Sequence, residues 1–398
     1  MSDLTLAPRQ RPLWPLFIAP ALVVIAAIAW SGFWFYAASQ VDVIADAWRA
    51  REAKSGRVFD CAHRSVAGFP FRLEIRCDGV KVSLVSQTAA QPPQAPVTAR
   101  LGEVLAVAQV YDPKLVIAEF TAPAGSFEQG AQQPSFVVNW SKGRSSVVGL
   151  PATPQRASIV FDNAAIDRLE GSMQVPLASA KHIELHGRIA QGSPADHPGI
   201  ESVVEITQGS IQGLHPLLAQ PFDADVRAMV SGLKDFAPKP WPERFREIQA
   251  AGGHIQILQS RVQQGDVIAV AAGTLALSAD GRLDGELQMT VAGIEKVIPA
   301  LGIDKMLDQG VPQATLDRVA PGVKTKDINN LFGALDRAIP GLGKVVKENA
   351  NIGVAAGINA LGTEAVLEGK KARTFPLRFA DGAVFLGPLK VGDVPPLF

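Results

Sequence analysis

Phe71-Arg-Leu-Glu-Ile-Arg-Cys-Asp78 alternates without a break. Phe71, Leu73, Ile75 and Cys77 fall on one side, and Arg72, Glu74, Arg76 and Asp78 on the other. Successive side chains of a strand point to opposite faces, so this octet predicts a half-buried β-strand with an apolar inner face. Just upstream, Phe59 and Cys61 share one face of a preceding strand. Gly68 and Pro70 supply the turn chemistry between the two. The wider composition agrees. Charged residues make up only 19% of the 398, while Gly (36) and Pro (29) are numerous, which suits many strands joined by tight turns better than a helical bundle. Lys+Arg and Asp+Glu balance at 38 each, so no basic excess points to nucleic acid.

A second stretch specifies its own register. In Gly273-Thr-Leu-Ala-Leu-Ser-Ala-Asp-Gly-Arg-Leu-Asp-Gly285, a two-residue Asp280-Gly281 turn would set Leu277 opposite Asp284 and Leu275 opposite Glu286. A three-residue Ala279-Asp280-Gly281 loop instead pairs Leu277 with Leu283 and Gly273 with Leu287. A one-residue slip moves every side chain to the other face, so the three-residue loop is expected, with Gly281 left-handed. Leu275, Leu277, Leu283, Leu287 and Met289 then line one apolar face, whether groove or core. Ala380-Asp381-Gly382 reads as a second hairpin of the same kind.

Further strands are read at Val80–Val85, Val97–Leu101, Glu103–Tyr111, Leu115–Thr121, Ser158–Asp162, Lys181–Ile189 and Ser202–Thr207. Phe136–Val148 reads as a hairpin around Lys142-Gly143. Thr88–Pro96, Ala122–Pro134 and Gln191–Pro198 read as loops. Ala237-Pro-Lys-Pro-Trp-Pro242 is the candidate internal boundary, followed by a helix over Glu243–Ala251. Apolar stripes predict helices through Ile294–Leu301 and Ile328–Ile339, and another over Ile352–Leu367, covering one sheet face. The expected fold is mainly β (α+β), an extended antiparallel sheet with a few covering helices near the C-terminus.

Leu13–Tyr36 carries no charge and is long enough for the roughly 20 apolar residues that span a bilayer core. Trp14 marks one end; Trp30, Trp34 and Tyr36 mark the other, as interfacial belts do. Pro20 falls inside and predicts a kink or a later start. Arg9 and Arg11 precede the run, which predicts a cytoplasmic N-terminus and a body outside the cytoplasm. A cleaved signal peptide with Ala37-Ala38-Ser39 as its site is the alternative, although the run is long for one. Val41–Lys54 predicts a short amphipathic helix ended by Gly56. The expected organisation is a tail (1–12), an anchor (13–38), a linker helix (39–56), a β-rich region (57–236) and hairpins with covering helices (237–398). In that oxidising compartment Cys61 and Cys77, the chain's two cysteines, read as a disulfide, with two free structural thiols as the alternative.

The single anchor, the strand–Cys61–Gly68-Phe69-Pro70-Phe71-Arg72–strand–Cys77 unit and the late Gly273–Gly285 hairpin resemble an uncharacterised family of Gram-negative membrane-anchored envelope proteins. The resemblance covers most of the chain and implies a location in the inner membrane. That family has no assigned role, so it implies no catalytic residue. The plan is more loosely similar to AsmA-like envelope proteins, which implies an anchor carrying a long curved sheet and an involvement in lipid traffic.

Chemistry-bearing constellations are few. His182-Ile-Glu184-Leu-His186 places three polar side chains on one strand face at a spacing that suits a divalent metal, and a solvated strand face is the simpler reading. Ser231-Gly-Leu-Lys234 lacks the companion motifs of penicillin-recognising enzymes. Gly341-Leu-Gly343-Lys344 is followed by Val345, not the hydroxyl residue of a P-loop. The expectation is a non-catalytic, membrane-anchored envelope protein without cofactor, binding or conducting lipid-like molecules along an apolar sheet face. Alternatives are a structural or protein-interaction module without ligand and, resting on the His-Glu-His strand alone, a metal-dependent hydrolase.

Overall fold

The computed structural model describes residues 14–54, 56–84, 97–127, 133–150, 154–171, 173–194, 198–213, 218–233, 241–297, 362–386 and 389–398. Helix α1 (Trp14–Lys54) leads into β1 (Arg57–Ala67), β2 (Arg72–Leu84), β3 (Val97–Gln109), β4 (Asp112–Phe120), β5 (Ala124–Phe127), β6 (Phe136–Asn139), β7 (Lys142–Val148), β8 (Arg156–Glu170), β9 (Met173–Ile189), β10 (Ile200–Ile211) and β11 (Phe222–Val230). After α2 (Trp241–Ala250) come β12 (His254–Gln264), β13 (Val267–Leu277), β14 (Leu283–Ala292), α3 (Ile294–Val297), β15 (Thr363–Leu367), β16 (Lys370–Ala380), β17 (Ala383–Leu386) and β18 (Leu389–Asp393).

All 18 strands join one sheet, and the pairings run antiparallel throughout. From β7 to β14 each strand pairs with the next in sequence, a long meander. Among the described residues β1 pairs only with β2 and β18 only with β17, so the sheet is not closed into a barrel there. The β13–β14 hairpin has the three-residue loop: Leu277 faces Leu283, Gly273 faces Leu287 and Thr274 faces Glu286.

Several expectations are corrected. Phe136–Val148 is no hairpin. β6 and β7 lie end to end and both pair with β8, because Trp140 and Ser141 break the strand without reversing it. The Asp381-Gly382 turn has two loop residues, since Ala380 faces Ala383 and both turn residues have positive φ (51° and 78°). Thr363–Leu367, assigned to a helix, is the edge strand β15. Its Thr and Val content favours a strand, and β16 gives it a partner. Ala124–Phe127, read as loop, is β5, and Phe222–Val230 was not read at all. The helix before β12 starts at Trp241, because a proline at its second position costs no hydrogen bond there. The Ile328–Ile339 stripe and the loop Thr88–Pro96 lie outside the described residues.

α1 runs unbroken through the expected junction between anchor and linker, with Pro20 inside it. Its 41 residues span about 60 Å at ~1.5 Å each, twice a bilayer's hydrocarbon core. The helix is long and apolar enough to cross a membrane. Its C-terminal half lies antiparallel along β1. Trp48 packs on Phe59 at 4.7 Å, Arg64 pairs with Asp42 and Asp46, and Arg57 pairs with Glu52 at 2.5 Å. At the other side of the sheet, α2 inserts Ile248 against Ile200 and Leu233, with Val230, Phe245 and Leu277 around them.

Candidate functional site

Directly opposed residues of an antiparallel pair project to the same face. That rule carries the apolar face of the β13–β14 hairpin across most of the sheet. Phe375, Met289, Ala271, Ser260, Val226, Val204, Leu185, Ile159, Ser145, Ala118, Ala106, Ile75 and Val66 stand in one row over thirteen strands. The row contains no charge. The neighbouring row on the other face reads Arg261, Asp225, Glu205, Glu184, Val160, Arg144, Glu119, Leu105, Arg76 and Ser65. The sheet is therefore amphipathic over the ten strands that the two rows share.

Its inner face is not uniformly covered. Toward β13–β16 it forms a core: Phe375 is buried, and Leu275 and Leu287 nearly so, at 9% and 8% exposed. Leu277, Leu283 and Met289 are half-buried on the same face. From β12 to β2 the row is only partly shielded, and Leu185 is 40% exposed. Trp140, which the sequence reading passed over, packs on Phe161 at 5.2 Å and donates its indole N–H to the Phe120 carbonyl at 2.8 Å. Gly143 leaves the room for that ring. A lone Trp at a strand break carries no periodicity, which is why alternation did not reveal it.

Cys61 and Cys77 are disulfide-bonded, with Cα atoms 5.6 Å apart. They are diagonal neighbours: Cys61 faces Val80 and Cys77 faces Arg64. Gly79, at φ 64°, interrupts the strand between them. Asn163 in β8 and Gln208 in β10 have positive φ in the same way, so the face pattern switches partway along those strands too. The Gly68–Arg72 segment is the β1–β2 turn, where the Arg72 N–H closes onto the Gly68 carbonyl at 3.1 Å.

His182, Glu184 and His186 lie together on the polar face. His182 sits between two carboxylates, Nδ1 at 2.6 Å from Asp162 and Nε2 at 2.6 Å from Glu184. Carboxylates only accept hydrogen bonds, so this placement favours the imidazolium, with hydrogen on both ring nitrogens. Its pKa is accordingly raised, by the Glu184 hydrogen bond first and then Asp162. The Glu184 carboxyl is held below its usual value by His182 and then His186, which reaches its other oxygen at 2.7 Å. His186 Nδ1 meets the Ser158 hydroxyl at 2.8 Å. Both ring nitrogens of His182 are thus engaged by carboxylates. Among the described residues no group of three or more His, Cys, Asp or Glu is arranged to hold one.

Fold and site together define a class: an apolar helix able to span a membrane, continuous with an open amphipathic β-meander. The chain belongs to a bacterial family described as "uncharacterized protein conserved in bacteria" (DUF2125), whose family model matches residues 34–395. The match begins at Trp34, whose indole N–H donates to the Arg72 carbonyl at 2.9 Å. Neither a curated protein nor a solved structure matches the chain.

Proposed function

We propose that this is a non-catalytic, membrane-anchored protein whose body lies on the periplasmic side of the inner membrane and holds acyl chains against the inner face of its sheet. The observation that carries the reading is the uncharged row from Val66 to Phe375, buried at one end and partly exposed over the rest. A sheet built only for structure normally covers its apolar face with a second layer. Among the described residues, α1 packs along β1 and α2 covers the β10–β13 ends. Each methylene removed from water is worth about 0.8 kcal/mol, so even partial contact along such a face retains a lipid tail. The looser likeness to the AsmA-like plan points the same way.

Leu185→Glu and Leu287→Glu test it together. Leu185→Glu puts a carboxylate on the open part of the face, and should abolish co-purification of lipid, read by mass spectrometry, with little loss of stability. Leu287→Glu buries an unpaired charge in the covered part and should unfold the domain. A wild-type protein free of lipid, with Leu185→Glu as stable as wild type, would leave the structural module as the reading.

A further inference from the structure

The β1–β2 and β3–β4 hairpins end side by side, the first of them against α1. Arg72 pairs with Gln109 across β2 and β3, and the Val110 N–H donates to the Phe71 carbonyl at 3.0 Å. Two indoles tie the β1–β2 tip to the helix, Trp30 donating to the Pro70 carbonyl at 2.8 Å and Trp34 to the Arg72 carbonyl at 2.9 Å, and the β3–β4 tip is held beside it through Phe71. The tips therefore stand at the height of Trp30–Trp34. From Trp14 to Trp34 the helix rises about 30 Å, the thickness of a bilayer's hydrocarbon core. A bilayer bounded on one side by Trp14 ends on the other at these two tips.

The tips carry the side chains that such a position favours. Phe69 is 52%, Phe71 60% and Tyr111 69% exposed. Phe69 stacks on Phe35 at 5.9 Å and meets Trp34 edge-on at 5.4 Å, and Phe71 lies 6.1 Å from Trp30. The rings thus extend the aromatic belt of the helix sideways onto the sheet. Exposed rings concentrated on two adjoining turns are unfavourable in water and favourable in the headgroup layer. Among the described turns at the opposite end of the strands, Glu170-Gly171, Gly265-Asp266 and Glu368-Gly369 carry no ring.

We propose that Phe69, Phe71 and Tyr111 dock the sheet into the headgroup–acyl boundary of the bilayer that α1 crosses. The strands then stand up from the membrane and the apolar face begins at the lipid surface. This rests on the anchor reading above. The test uses the full chain in phosphatidylethanolamine/phosphatidylglycerol vesicles, with a nitroxide attached to Phe71→Cys, Tyr111→Cys, Val24→Cys or Met173→Cys, the native cysteines being bonded and unreactive. Collisional relaxation by oxygen is compared with that by a water-soluble nickel chelate. Labels at 71 and 111 should show an oxygen-to-nickel ratio at least about threefold above that at 173, which lies at the far end of the strands. Equal ratios at 71, 111 and 173, with position 24 reading as hydrocarbon, overturn the docking and leave the anchor standing. A water-like reading at position 24 overturns the anchor and the docking with it. Should Phe71→Cys not fold, Tyr111→Cys, the more exposed site, decides alone.

Discussion

His182 holds two carboxylates at once, and this makes it sensitive to pH. Its folded-state pKa is raised, so its contribution is complete below the ordinary imidazole value of 6.5 and is lost as pH rises through the folded value. Glu184 is lowered, so its contribution is complete above 4.5 and is lost as pH falls through its own folded value. Both contributions are complete together between about pH 4.5 and 6.5. The groups are one-third exposed, which limits the effect to about 1 kcal/mol or less. Urea midpoints should show wild type ahead of His182→Gln at pH 5.5 and the gap narrowing at pH 8.5; a gap independent of pH refutes the charged ring. Gly273 and Gly285 illustrate a constraint of another sort. They have φ of 150° and 139° on facing strands, and a Cβ on either would overlap a carbonyl oxygen across the ladder, Glu286 for one and Thr274 for the other. Gly273→Ala should cost about 1–3 kcal/mol in thermal denaturation, as a strained backbone position does; an unchanged melting temperature would show the backbone relaxing freely.

The β1–β2 hairpin joins three functions in one element: the cysteine bridge, the contact with α1 and the aromatic turn. Replacing Cys61 and Cys77 by Ala removes a cross-link over a separation of 16 residues. It should cost at most about 3 kcal/mol, chiefly by freeing the unfolded chain. Peptide mapping without reductant should recover the two cysteines in one linked fragment, and recovery of both as thiols from the native compartment would reject the bond. This hairpin was also the most legible part of the chain. Alternation gave the strands and their inner face, and the Gly68–Pro70 chemistry gave the turn. The three-residue register of β13–β14 followed because slipping it would expose leucines and bury carboxylates. Alternation was silent where strands break without turning, at Trp140-Ser141, and where a short edge strand such as β15 depends on a neighbour remote in sequence. The partners of the two histidines were half legible: the His-Glu-His spacing was visible, but Asp162 reaches His182 and Ser158 reaches His186 only through the β8–β9 register.

At the scale of the molecule, the sequence showed many amphipathic strands but not how many sheets they would form. A period of two marks an apolar face without saying what lies over it, so one sheet or two stacked sheets fit the same pattern. The continuous helix was missed for a related reason. Residues 37–54 change from apolar to charged, which reads as a boundary, yet an Ala-rich stretch with Arg, Glu and Lys and without Gly or Pro continues a helix readily. The proposed topology has its own test. Alkaline phosphatase fused after Gly56 should be active, since that enzyme matures only after export; a stable, inactive fusion would place the body in the cytoplasm.

The meander also bears on how the protein comes into being. Where sheet order departs from chain order, an early strand waits for a partner made much later. Here β2 needs only β1 and β3, and from β7 to β14 each strand completes the edge left by the one before it. Contacts between sequence neighbours carry little loop-closure entropy and form early. A chain that threads through a membrane from its N-terminal end can therefore assemble as it emerges, row by row, on the template of α1 and β1. From β7 to β14 the growing edge is always the newest strand, which limits the time any one of these strands is open to aggregation.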